Sequence, residues 1–297
     1  MKRILILVLS LLLLLSGCTV NEGEGADSAE AGTSDTKAQI EAQSTEIQVE
    51  KTEKTEKTEE TEMKKTVPVR FGSYNIKVGS AVDFDMSVIA ADINSLSLDI
   101  VGLQEVDIGT TRVGGKDILA ELAKAAGYEY YQFTKAISYK GGEYGTAILS
   151  RYPIREYETV YLYVESGMEA RAVGHAVIDI GDAEVDFYNT HLSYEDGKVR
   201  EKQFEELAAL VKDKSSFVIT GDYNTQNMRE FSVIEDSALV NNGRFATFPS
   251  SHSAIDNIVF SKDANGMGGW RIGDSGMLAS GHSDHNMLWA ELYLVLE

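Results

Sequence analysis

The chain has 297 residues, a formal net charge of −20, a single Cys and 43% hydrophobic residues. Length and apolar content suffice for one large domain with its own core. The acid excess, 47 Asp+Glu against 27 Lys+Arg, argues against a protein that coats nucleic acid through a basic surface, and one Cys excludes a disulfide scaffold and any Cys-based zinc site.

The chain opens on Lys2 and Arg3, followed by an apolar run from Ile4 to Leu15 interrupted only by Ser10. The run is shorter than the roughly 20 apolar residues a membrane-spanning helix needs, so it reads as an export signal. Leu15-Ser16-Gly17-Cys18 resembles the lipobox of bacterial lipoproteins. That resemblance implies cleavage after residue 17 and acylation of Cys18. The protein is then exported and anchored to the bacterial cell membrane with its domain facing outward. The alternative is an ordinary signal peptide with an incidental Cys. Two or three acyl chains anchor stably where one is marginal.

Residues 18–66 form an acidic stretch rich in Glu, Thr and Lys, with Lys-Thr-Glu in tandem at Lys51, Lys54 and Lys57. It has too few large apolar side chains to offset its ordering entropy, and is expected to be a disordered tether reaching about 40 Å on average. The remainder, Val67 to Glu297, is sized as one catalytic domain. It carries −15 of the net charge, because the tether holds 13 acidic against 6 basic residues and the signal adds two cations.

Within that domain, apolar alternation predicts strands over Arg70–Ile76, Asp99–Gln104, Tyr128–Phe133, Thr146–Ser150, Ala172–Ile180, Asp186–Thr190, Phe217–Thr220, Ala254–Phe260 and Met287–Leu294. Helical spacing appears at Met86/Ile89/Ala90/Ile93, at Ile118/Leu119/Leu122/Ala125 up to Gly127, and at Phe204/Leu207/Ala208/Val211. Strands in clusters with helices between them indicate a layered α/β fold.

Polar residues collect at the strand ends, where a rigid scaffold presents reactive groups. Asn75 ends the first strand and Glu105 the second. Asn189 and His191 end another, and Asp222 and Asn224 follow Phe217–Thr220. Asp256 lies inside a strand with Ile255 and Ile258 close on either side, where a carboxylate needs a partner. Asp284 and His285 precede the last strand, and Arg171 stands at the start of Ala172–Ile180. Taken singly, each has an ordinary reading as a turn former or a solvated charge.

Together they form an ordered set: Ser73-Tyr74-Asn75, Leu103-Gln104-Glu105, Gly145 to Pro153, Asn189-Thr190-His191-Leu192, Gly221-Asp222-Tyr223-Asn224 and Ser283-Asp284-His285. This set resembles the endonuclease/exonuclease/phosphatase superfamily, which includes deoxyribonuclease I and the sphingomyelinases. The resemblance covers nearly all of Val67 to Glu297. It implies a four-layer α/β sandwich of two packed mixed β-sheets, with the site at one edge of both. It also implies phosphoester hydrolysis assisted by Mg²⁺ (or Mn²⁺ or Ca²⁺), for which this oxygen-rich set is suited.

By the same resemblance Glu105 is the chief metal ligand with Asn75 beside it, and Asp284 is a further ligand or an acid just behind the ligands. His285 is general base or electrostatic partner, oriented by Asp256 as in an Asp–His pair. Asp222 positions the attacking water or a second metal, Asn224 and Asn189 contact the phosphate, and His191 donates to a phosphoryl or leaving oxygen. Arg171 is a phosphate contact or a solvated strand-edge charge. A His at position 191 disfavours the abasic-site repair branch. Ala254, where the family is often basic, and Tyr223 for a usual Phe are departures that remove no reacting group.

A domain at −15 repels polyanions at long range, and the tether holds it near lipid head groups. Both favour a small or lipid-related phosphoester, with an extracellular nuclease as the alternative and a non-catalytic phosphate-binding module as the third reading. The loop Asp107–Lys116 is either a substrate contact or a connecting turn. His282 reads as surface or supporting.

Overall fold

The computed structural model describes residues 65–263 and 269–296. The expected signal, Cys18 and the tether up to residue 64 lie outside the described residues. The described residues build two six-stranded sheets from twelve strands. The first holds β1 (Thr66–Asn75), β2 (Ile100–Ile108), β3 (Tyr130–Tyr139), β4 (Gly142–Ser150), β11 (Trp270–Leu278) and β12 (Met287–Val295), in the order β11-β12-β1-β2-β4-β3. The second holds β5 (Ile154–Tyr161), β6 (Ala172–Ile180), β7 (Ala183–His191), β8 (Phe217–Asp222), β9 (Ser237–Leu239) and β10 (Asp256–Ser261), in the order β5-β6-β7-β8-β10-β9.

Each sheet is antiparallel except for one central pair. β1 and β2 run parallel, joined through α1 (Met86–Ser95). β7 and β8 run parallel, joined through α3 (Gly197–Val211). A parallel pair needs a crossover, and a helix supplies it. Asp85 caps α1 by accepting from the Ser87 N–H, and Asp196 caps α3 by accepting from the Lys198 and Val199 N–H groups. α2 (Ile118–Ala126) is capped by Asp117 and stops at Gly127, whose left-handed backbone suits glycine.

The core has three parts. Ile89, Ile93, Leu119 and Leu122 of α1 and α2 pack on the outer face of the first sheet with Leu103 and Leu149. Phe71, Phe187, Ile148, Val218 and Trp270 fill the space between the sheets. Phe204 and Leu207 of α3 pack on the outer face of the second sheet with Tyr188 and Ile219. Helices, sheet, sheet and helix are thus the four layers that the sequence implies, and no described helix is long and apolar enough to cross a membrane.

Several details differ from the sequence expectation. β1 begins at Thr66, one residue earlier than the expected domain start. β5, β9 and β11 are additional strands. β2 does not end at Gln104 or Glu105 but runs on to Ile108 through a β-bulge between Leu103 and Val106. Asp256 opens its strand rather than lying within it.

Candidate active site

The carboxyl ends of both parallel pairs open on one edge of the sandwich. β1 delivers Asn75, β2 delivers Glu105, β7 delivers His191 and β8 delivers Asp222. Glu105 sits in the bulge with φ +55°, a left-handed conformation uncommon outside glycine. Bulges re-aim side chains beside active sites, and strain of this kind gathers there.

Asn75 joins the two sheets. Its amide Nδ2 donates to Glu105 Oε1 and to Asp222 Oδ2, each at 3.0 Å. Asp222 Oδ2 also lies 3.5 Å from His191 Nε2 and 3.6 Å from His285 Nε2. The other nitrogen of His285, Nδ1, meets Asp256 Oδ2 at 2.8 Å. Strand pairing explains the convergence. His191 is opposite Asp222 and Asp222 is opposite Asp256, so the three side chains share one face of the second sheet. The segment carrying Asp284 and His285 is tied to the end of β1, where Ser283 Oγ donates to the Asn75 carbonyl at 2.7 Å.

Burial sets the charges. Asn75, Asp222, Asp256, His191 and His285 are all buried. Burial and the adjacent Asp256 push Asp222 up to about 7. Burial opposes the charge on His285, but Asp256, with Asp222 and Asp284 adding to it, raises the imidazole to about 9. His191 is held well below its ordinary value by burial, with Arg171 and His285 adding to the effect. The site at neutral pH thus contains one cationic and one neutral imidazole on the same carboxylate.

The expected metal ligands fit a hard divalent cation. Glu105 and Asp284 are half-buried carboxylates at the mouth of the site, and carboxylate oxygens are what Mg²⁺, Mn²⁺ and Ca²⁺ prefer. A second group, Asp222, Asp256 and His285, places one ligand atom from each residue within 4.8 Å of the others. There Asp256 Oδ2 is taken by His285 Nδ1 while Asp256 Oδ1 is buried without a partner, and the Glu105 side offers carboxylates that are open to the mouth of the site.

One expected phosphate contact changes. Asn189 is fully buried, and its amide is consumed by Leu103 O, Ala147 O, Gln104 Nε2 and Thr220 Oγ1. It lies two residues inside the strand end and staples the sheets together, so it does not reach a substrate. Asn224 donates its Nδ2 to the Leu192 carbonyl at 3.0 Å and joins the loops after β7 and β8. Arg171 is not a solvated charge. Its side chain is 3% exposed, with Nη1 3.0 Å from Glu169. It lines a cleft with Thr146 and His191, and both Arg171 Nε and Thr146 Oγ1 are buried there without a protein partner. Such orphaned donors require a ligand or solvent.

The loop Asp107–Lys116 is tied internally. Buried Asp107 accepts Nε and Nη2 of Arg112 at 2.6 and 2.8 Å, and Gly109 N–H bonds the Lys116 carbonyl. It is braced against the turn between β3 and β4, where the Thr111 N–H bonds the Lys140 carbonyl at 3.0 Å. His282 Nδ1 donates to the Asp92 carboxylate of α1 at 3.0 Å and so braces the Asp284–His285 segment. Sequence reasoning missed Lys77, whose Nζ lies 2.6 Å from Asp284 Oδ2. Its place two residues after Asn75 was the available signal.

Residues 72–285 match the Endonuclease/Exonuclease/phosphatase family. No curated protein matches the chain. Among solved structures, it is similar to an endonuclease/exonuclease/phosphatase from Beutenbergia cavernae, at 22% identity and TM-score 0.66, over 77% of this chain and 72% of the other. It is also similar to a mannosyl-6-phosphatase of Bacteroides thetaiotaomicron, at 18% identity and TM-score 0.56, over 75% and 99%. A third similarity is to TDP2 of D. rerio complexed with single strand DNA product, at 16% identity and TM-score 0.60, over 76% and 98%. The match over most of the chain, on a two-sheet sandwich whose motif residues meet at one edge, places the protein in the endonuclease/exonuclease/phosphatase family of phosphoric ester hydrolases.

Proposed function

We propose that this protein is a divalent-metal-dependent hydrolase of small or lipid-related phosphoesters, exported and held at the membrane through lipidated Cys18. The observation that carries the reaction is the Asn75 amide, which bonds Glu105 and Asp222 at once and makes one site of two sheets.

In this reading Glu105 and Asp284 hold the ion, with Mg²⁺ the first choice, while Asn75, whose Nδ2 faces Glu105 and whose Oδ1 accepts the Lys77 N–H, orients the Glu105 carboxylate instead of coordinating. When bound, the ion polarises the phosphoryl group and stabilises charge on oxygen. The chain's own residues do the rest. Asp222 accepts a hydrogen bond from the attacking water and orients it toward phosphorus. Its pKa of about 7 suits a group that takes a proton near neutral pH. His285, cationic and fixed by Asp256, faces the phosphoryl oxygens as an electrostatic partner, in preference to the general-base role. His191, neutral and therefore able to donate from one ring nitrogen, serves a phosphoryl or leaving oxygen. Arg171 places a guanidinium beside it.

The domain charge of −15 favours small substrates, and the mannosyl-6-phosphatase among the structural neighbours accords with that. The nuclease reading draws on the neighbour bound to single strand DNA product. One panel separates them: bis-p-nitrophenyl phosphate, a sugar phosphate, sphingomyelin, phosphatidylinositol phosphates and plasmid DNA, each with Mg²⁺ and with EDTA. We expect Mg²⁺-dependent turnover, abolished by EDTA, with a small or lipid ester fastest. DNA as the fastest substrate overturns the substrate assignment, and no turnover with any divalent ion leaves only a binding module.

A further inference from the structure

The turn after β1 is backbone-strained. Lys77, Val78 and Gly79 have φ of +44°, +60° and +76° in succession. A β-branched residue at positive φ is a genuine outlier, and outliers of this kind persist only where the surroundings impose them. Two consequences of the turn are visible. It buries Val78 in the core beside α1, and it turns Lys77 back over the end of β1.

Lys77 is then fixed twice. Its backbone N–H donates to Asn75 Oδ1 at 3.0 Å, which sets the amide so that Nδ2 points at Glu105 and Asp222. Its ammonium lies 2.6 Å from Asp284 Oδ2, with the two side chains 48% and 34% exposed. The other oxygen of Asp284 has only Ser283 Oγ, at 3.5 Å. A monovalent cation thus occupies the carboxylate that the proposed ion would share with Glu105.

We propose that Lys77 is the resident counter-cation of the Glu105–Asp284 edge, and that a divalent ion binds there in competition with its ammonium. This rests on the metal-dependent reading above. The physical content is repulsion. A dication and an ammonium on one carboxylate lie a few ångströms apart, so loading must break or lengthen the Lys77–Asp284 pair. The cation keeps the acidic edge neutralised without metal and sets the free-ion concentration at which the site fills. Lys77 is a positioning residue, acting on Asn75 through its N–H and on the metal site through its charge.

The test is calorimetric titration of Mg²⁺ and Mn²⁺ into the full chain without substrate, comparing the native protein with Lys77→Met and Lys77→Arg. Removing the charge should tighten the ion by on the order of five- to tenfold, the size of a screened repulsion at this range. Lys77→Arg should stay close to native. Binding to Lys77→Met that is unchanged or weaker, with thermal melting intact, overturns the proposal. No detectable divalent binding by the native protein overturns it too. Should Lys77→Met not fold, a crystal structure of the native chain soaked in Mn²⁺ decides. The Lys77–Asp284 pair must open when the ion is bound, and a pair kept at its present distance refutes competition. Competition without hydrolysis would sink the functional reading and leave this one standing. Hydrolysis without competition would do the reverse.

Discussion

At the scale of single residues, two histidines illustrate how surroundings decide a role. His285 is buried, bonded to Asp256 and aimed at Asp222. His285→Ala should lower turnover by about 10²–10⁴, the usual worth of a proton-handling or charge-stabilising group, with the thermal midpoint measured alongside. An unchanged rate would remove it from the reaction. His175 lies away from the site, on β6. Its Nδ1 meets Glu158 at 2.9 Å and its Nε2 meets Asp186 at 2.7 Å, with the ring stacked on Tyr188. Both nitrogens face carboxylates, so both carry protons and the ring is an imidazolium. Burial opposes charge on both partners. The hydrogen bonds nonetheless raise His175 above 6.5 and lower Asp186 below 3.8. A raised His stabilises the fold fully below its unfolded value and loses that effect as pH rises through the folded one. A lowered Asp stabilises above its unfolded value and loses the effect as pH falls. The pair therefore contributes most between these two unfolded values. His175→Gln should lower the melting temperature by roughly 2–4 °C at about pH 6, on the scale of 1 kcal/mol for this fold, and by less at about pH 9. An effect that grows with pH would contradict the charged ring.

At the scale of elements, β2 shows what is written in a sequence and what is not. Its apolar residues, and its polar exit at Gln104-Glu105, are legible because a strand buried on both faces reads as an apolar run. The bulge is not legible, since it depends on register against β4 rather than on any local residue preference. The same holds for the missed strands. β5 and β11 are sheet edges, and edges carry charges and breaks that hide the alternation, here Arg155, Glu156 and Glu158 in one and Gly273-Asp274-Ser275 in the other. Asn189 could be identified as important but not assigned. Its motif is shared with His191, and only depth along the strand separates a stapling amide from a reacting group. Gly102 belongs to that staple. A Cβ there would fall on Thr220 Oγ1 and on Asn189 Oδ1, which are themselves hydrogen-bonded. Both are buried and the space between the sheets has no slack. Gly102→Ala should therefore destabilise by about 1–3 kcal/mol, the usual cost of overpacking, and should lower activity by separating Asn75 and Glu105 from the second sheet. Urea unfolding together with turnover checks it; native stability in this variant would show that the staple is dispensable.

At the scale of the whole molecule, charge and attachment determine what reaches the site. If Cys18 carries the anchor, Cys18→Ser should move the protein from the membrane fraction to the soluble exported fraction with the same turnover per molecule, and persistent membrane association would place the anchor elsewhere. The charge makes a sharper prediction. With −15 on the domain, a polyanion approaches against a repulsive field whose range is the Debye length, roughly 30 Å at 0.01 M salt and 8 Å at 0.15 M. A nuclease that gathers DNA through phosphate contacts loses affinity as salt rises, because counterion release then drives binding less strongly. Here the opposite sign is expected. At fixed free Mg²⁺, below saturation, raising monovalent salt across that range should increase kcat/KM for an oligonucleotide by screening the repulsion. A neutral or zwitterionic phosphodiester should change little over the same range, since it feels no net repulsion to be screened. The slope of log(kcat/KM) against log salt, taken for both substrates in one buffer series, separates the two cases without knowledge of the natural substrate. A falling slope for the oligonucleotide would reveal a local basic track strong enough to override the global charge, and would move the protein toward nucleic acid as its substrate.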